Sequence, residues 1–119
     1  MSTEQTQRTI DRYFDLMGKD EDYGVCWTDD VTWLVADSGE VITGPALVRS
    51  YLDALHATMA DAQTRHLVVG EDSVYLEGDC VDPASADGGR LRYCIAYDIR
   101  QDLISAMRCY GPLRGPTRR

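Results

Sequence analysis

The chain has 119 residues, a net charge of −8, and 44% hydrophobic against 27% charged residues, the size and balance of one globular domain. So acidic a domain does not track a phosphate backbone, which sets nucleic acid aside as a partner. No apolar stretch approaches the roughly 20 residues of a membrane span, and Met1-Ser2-Thr3-Glu4-Gln5 has neither the basic nor the apolar region of a secretory signal, so a cytoplasmic location is expected.

Ser2-x-x-Gln5 is a capping box and predicts the start of a helix. Ile10, Tyr13, Phe14 and Met17 then fall at i, i+3, i+4 and i+7 on one face. Gly18 and the charged run Lys19 to Asp22 end that helix, and a short second helical turn runs from Tyr23 to Trp27. Val31 to Val35 has strand composition, Asp37 to Glu40 reads as a turn, and Val41 to Thr43 as a short returning strand. Gly44-Pro45 opens a long helix with an apolar face of Val48, Tyr51, Leu52, Leu55 and Met59. The remainder reads as strands at Thr64–Val69, Ser73–Glu77, Arg90–Ile99 and Leu103–Tyr110, punctuated by turn chemistry. The expected architecture is α+β, a curved antiparallel sheet wrapped around three helices of the N-terminal half. A single domain over residues 1–111 is expected, with residues 112–119 a flexible tail.

Cys26, Cys80, Cys94 and Cys109 form no Cys-x-x-Cys pair, and only His56 and His66 could join them at a metal. Free thiols packed as small apolar groups are expected. No Gly-rich phosphate loop, nucleophile elbow or metal-ligand cluster occurs, so no cofactor and no metal are expected.

The element order, Arg12-Tyr13-Phe14, Asp29-Asp30-Val31-Thr32-Trp33, Gly44-Pro45-Ala46, Arg65-His66-Leu67-Val68, Gly78-Asp79 and the closing Ile104 to Tyr110 together resemble the nuclear transport factor 2-like superfamily. Within it the chain looks most like the SnoaL-like and ketosteroid-isomerase-like branch, over about residues 5 to 111. The resemblance implies a cone with a deep apolar pocket. Members isomerise steroids, close polyketide rings, dehydrate or open epoxides, and others bind partners without chemistry. The function must therefore be read from the pocket.

Strand alternation assigns the pocket face. It places Trp33, Val35 and Asp37 together, His66 with Val68, Tyr93 with Tyr97, and Tyr110 with Arg108. By the resemblance, Tyr13 matches the tyrosine that donates to the substrate oxyanion in steroid isomerases. Their general-base aspartate aligns with Val35, which takes no proton, and their second acid aligns with Tyr93. Asp37 is then a displaced candidate base, and His66 matches a histidine that works as acid or base in related cyclases. Arg108 would fix a substrate oxygen or orient Asp37. Trp33, Val35, Val68, Tyr93, Tyr97 and Tyr110 would line the substrate site. His56 is read as a surface residue.

The expected function is cofactor-free acid/base chemistry on a small, hydrophobic, oxygenated molecule. A polyketide-like or terpenoid-like intermediate of secondary metabolism is the expected substrate class. The alternatives are a non-catalytic protein of the same fold that binds or sequesters a hydrophobic ligand, and a dimeric interaction module whose cone is filled by core. The mixed outer face of the sheet, with Thr32, Leu34, Arg65, Leu67, Arg92, Cys94, Ala96, Met107 and Cys109 assigned to it, implies a homodimer.

Overall fold

The computed structural model describes residues 2–113. Helix α1, Thr3–Gly18, begins at the capping box: Ser2 Oγ accepts from the Gln5 amide at 3.1 Å and the Gln5 side chain accepts from the Ser2 amide at 2.9 Å. It buries Thr6, Thr9, Ile10 and Tyr13, and the Thr6 hydroxyl donates to the Glu71 carbonyl, tying the helix to a distant turn. A single 3-10 turn, Tyr23–Cys26, follows. Strands β1 (Trp27–Val35) and β2 (Glu40–Thr43) form a hairpin, and α2 (Pro45–Thr58) buries Val48, Tyr51, Leu52 and Leu55. Strands β3 (Gln63–Val69), β4 (Ser73–Val81), β5 (Arg90–Arg100) and β6 (Leu103–Tyr110) complete the sheet.

The six strands are ordered β2-β1-β6-β5-β4-β3 in a curved, unclosed sheet with both long helices against its inner face. The α+β cone is as expected. The sheet is mixed, however, and not purely antiparallel: β1 lies parallel to β6, the first strand beside the last. No described helix is long and apolar enough to cross a membrane.

The inner face carries Val31, Trp33, Val35, Ile42, Val74, Leu76, Tyr93, Ile95, Tyr97, Ile99, Ile104, Met107 and Cys109, all buried. Leu113, at the start of the expected tail, is 5% exposed and joins this core, and residues 114–119 lie outside the described residues.

Three register shifts interrupt the ladders, one of them in β1 between Trp27 and Thr32, and the other two reset the alternation at the expected site residues. Between Asp98 and Ile99 the register of β5 and β6 slips at Ser105, so Ile104 faces inward and then Met107 and Cys109 do, not Ala106, Arg108 and Tyr110. Between Thr64 and His66 the register of β3 and β4 slips at Arg65. The outer face has one row crossing every strand, Val68, Tyr75, Ala96, Arg108, Leu34 and Val41, in register.

Strand β4 runs past the expected end at Glu77 because a carboxylate within it is neutralised from both sides. Asp79 is 8% exposed and accepts from Arg65 Nε and Nη2 at 2.8 and 3.0 Å and from Arg90 Nε at 2.6 Å. Arg65 and then Arg90 hold its carboxyl down at about 2. The ordinary carboxyl value is near ~3.9, so the stabilisation is fully present above that and is lost as pH falls towards the folded value. In urea denaturation, the midpoint gap between the parent chain and Asp79→Asn should therefore close between about pH 5 and about pH 2. A gap of equal size at both ends would refute the assignment.

Candidate active site

A cavity of about 660 Å³ opens between α1, α2 and the inner face of the sheet. Its walls are mainly apolar, from Tyr13, Trp33, Leu52, Leu55, Ile95 and Tyr97. Polar groups also border it: Asp20 and Tyr23 after α1, Asp53 and His56 on α2, Thr64 on β3 and Tyr93 on β5.

Arg49, Asp53 and His56 are spaced i, i+4, i+7 and form one stripe of α2 beside its buried face. Arg49 Nε donates to both Asp53 oxygens at 3.0 and 3.1 Å, and its Nη1 donates to Asp22 at 3.2 Å. The guanidinium carbon lies 4.1 Å from the Tyr23 ring centroid. The Tyr23 hydroxyl donates to Asp53 Oδ1 at 2.7 Å, and the Tyr23 ring stands 6.0 Å from the His56 imidazole.

This network sets three protonation states. Burial pushes the His56 conjugate acid below its ordinary value; Arg49 acts in the same direction and Asp53 against it. His56 is therefore a neutral imidazole at physiological pH. Burial alone would raise Asp53, but the Tyr23 hydroxyl and Arg49 outweigh it and keep the carboxylate ionised. Burial, then the Asp53 bond, holds the Tyr23 phenol protonated.

Of the residues expected to form the site, Tyr13, Trp33, Tyr93 and Tyr97 border the cavity. The Tyr13 hydroxyl donates to Met107 Sδ at 3.8 Å, so this residue presents its ring to the cavity while its hydroxyl is engaged in the core. Burial, then the neighbouring Tyr97, raises its phenol far above the ordinary value, with Trp27 acting in the opposite direction.

The other expected residues lie elsewhere. The bulge at Arg65 leaves Thr64 on the cavity side and puts His66 outside, opposite exposed Glu77. Val68, opposite Tyr75 on the same outer face, is 62% exposed. Asp37 sits in the β1–β2 turn, beyond the end of β1 at Val35, and is exposed. Arg108 is on the outer face, its Nη1 and Nη2 donating to the two Asp98 oxygens at 2.7 and 3.1 Å. Tyr110 is also outside and 46% exposed, while Val35 is buried in the core away from the cavity.

His56 and Asp53, not among the expected site residues, border the cavity. The signal available in the sequence was the Arg49-x-x-x-Asp53-x-x-His56 spacing alone, which also fits an ordinary solvated stripe.

Three solved structures share this architecture. A candidate ketosteroid isomerase from Kribbella flavida DSM 17836 is 20% identical over 92% of this chain and 78% of that one, with a TM-score of 0.74. A steroid delta-isomerase from Pseudomonas aeruginosa is 12% identical over 91% and 80%, with a TM-score of 0.76. An NTF2-like protein of unknown function from Cytophaga hutchinsonii is 19% identical over 90% and 99%, with a TM-score of 0.72. At these identities the likeness is one of fold. No protein of curated function matches the sequence. The SnoaL-like domain family does match, across residues 10–107, and the chain belongs to that family.

Proposed function

We propose that this protein is a cofactor-free acid/base enzyme acting on a small, hydrophobic, oxygenated substrate. The observation that carries the reading is a neutral imidazole, His56, bordering an apolar cavity of about 660 Å³. In such a place a base needs no prior deprotonation, and a substrate ketone is desolvated beside it. His56 would take a proton from the carbon next to a carbonyl, giving an enolate and an imidazolium. The imidazolium would then return a proton to another carbon of the conjugated system, to the oxygen formed as the enolate closes a ring on a second carbonyl, or to the hydroxyl expelled as water. Asp53, kept ionised by Arg49 and Tyr23, would stabilise the transient imidazolium. This chemistry suits a polyketide-like or terpenoid-like intermediate of secondary metabolism.

The assay is deuterium loss from the α-carbon of β,γ-unsaturated bicyclic ketones, followed by NMR, with conjugation followed by ultraviolet absorption. Exchange above the buffer rate is expected. Tight ligand binding without exchange or conjugation would replace this reading by a ligand-binding protein of the same fold. For assembly, the apolar members of the outer-face row support pairing with a second copy, and sedimentation at micromolar concentration should give twice the 13.3 kDa chain mass. A species of single-chain mass would refute it.

A further inference from the structure

Tyr93 and Tyr97 stand on the inner face of β5, four residues apart, and both border the cavity. They are 9% and 3% exposed, yet neither hydroxyl has a hydrogen-bond partner among the described residues. The described side-chain atoms that are both sealed and unpartnered are the indole nitrogens of Trp27 and Trp33. The two phenol oxygens are therefore not sealed and open on the cavity. A phenol so placed takes its acceptor from water in the cavity or from a ligand that displaces that water.

Each ring is held in place. A Cβ on Gly78 would lie 2.9 Å from the Tyr93 ring, and a Cβ on Gly111 would lie 3.2 Å from the Tyr93 Cα. Gly111 also has φ +116°, so the two glycines form a slot that a side chain would close. Tyr97 packs edge-on against Tyr13 and Phe14, with centroids at 6.1 and 6.0 Å. Burial raises both phenols, Tyr93 to about 12, so each is a donor throughout the physiological range.

The two donors stand at different positions along β5. Four residues of extended strand separate their Cα atoms by about 13 Å. The carboxylates Asp20 and Asp53 also border the cavity, and no Lys or Arg among the described residues lines it. An anionic ligand would meet like charge and lose its hydration without a counter-ion.

We propose that the cavity takes an uncharged, elongated ligand with a hydrogen-bond acceptor towards each end, one read by Tyr93 and the other by Tyr97, and that it rejects the carboxylate of the same shape. This rests on the reading of the cavity as the substrate site and needs no turnover.

The test is equilibrium binding, by fluorescence titration, of 2,6-diacetylnaphthalene, 2-acetylnaphthalene and 6-acetyl-2-naphthoate. The parent chain should bind the diketone most tightly and the naphthoate least. Tyr93→Phe and Tyr97→Phe should each weaken diketone binding about 3–10-fold, the net worth of one hydrogen bond. The double variant should bind diketone and monoketone alike. Neither hydroxyl is bonded among the described residues, so the melting temperature should be unchanged in both single variants. Naphthoate bound as tightly as diketone, diketone affinity unchanged in both variants, or no diketone binding by the parent chain would each overturn the proposal. Binding as expected but without α-proton exchange would remove the catalytic reading and leave this one. Exchange together with tight naphthoate binding would do the reverse.

Discussion

His56→Gln should lower α-proton exchange by roughly 10²–10⁴-fold, the usual contribution of a positioned acid/base group. That corresponds to about 3–5 kcal/mol of transition-state stabilisation. Glutamine keeps hydrogen-bonding capacity and similar bulk at the α2 position but takes no proton near neutrality, so ligand affinity should change far less than rate. The pH profile gives an independent reading. The His56 conjugate acid lies below the ordinary value near ~6.5, so the base form is already dominant at neutral pH. The parent rate should be flat through neutrality and fall only as pH drops below that ordinary value. His66→Gln and Asp37→Asn are the matched controls. Both residues are exposed and neither borders the cavity, so exchange should stay within about 2-fold of the parent. A His56→Gln variant at the parent rate would refute the assignment of the base.

Met107→Ala should cost about 2–5 kcal/mol of folding stability, the usual range for a buried Met cut to Ala. Met107 is 0% exposed on the inner face of β6, opposite Tyr97, and its sulfur accepts the Tyr13 hydroxyl. Truncation leaves a void among tightly packed rings and also removes that acceptor. The neighbouring Arg108→Ala should cost at most about 1 kcal/mol, because its ion pair with Asp98 is partly solvated, with side chains 27% and 44% exposed. Urea midpoints at constant slope measure both. The order of the two losses tests the bulge at Ser105: alternation without it would bury Arg108 and expose Met107. Equal losses, or a larger loss at Arg108, would contradict the inner face described here.

That contrast shows where the sequence was legible. Helix α1 came from a capping box and a 3.6-residue stripe, and α2 from Gly44-Pro45 and another such stripe; both are local codes, read within a few turns. Strand positions followed from β-branched and aromatic runs between turns. Trp33, Tyr93 and Tyr97 were placed correctly because β1 alternates from Val31 onward, past an irregularity between Trp27 and Thr32, and β5 keeps its register through Tyr97. His66 and Arg108 were not, because one extra residue in a strand inverts every side chain beyond it, and a bulge is set by pairing with a neighbour distant in sequence. His56 was hidden for a different reason. Its helix stripe looks solvated in isolation, and only the packing of Tyr23 beside it makes that stripe one wall of a cavity.

The parallel pairing of β1 with β6 has a consequence for how the chain reaches this state. The hairpin of β1 and β2 adjoins the rest of the sheet only through the last strand, so its edge is unpaired until residues near 104–109 are in place. A chain emerging from the ribosome must hold Val31, Trp33 and Val35 without their inner-sheet neighbours for nearly the whole of synthesis. Contacts of such sequence separation make loop closure the slow step, and domains dominated by them fold in milliseconds to seconds rather than microseconds. The same exposed apolar edge is what a chaperone would meet on the nascent chain.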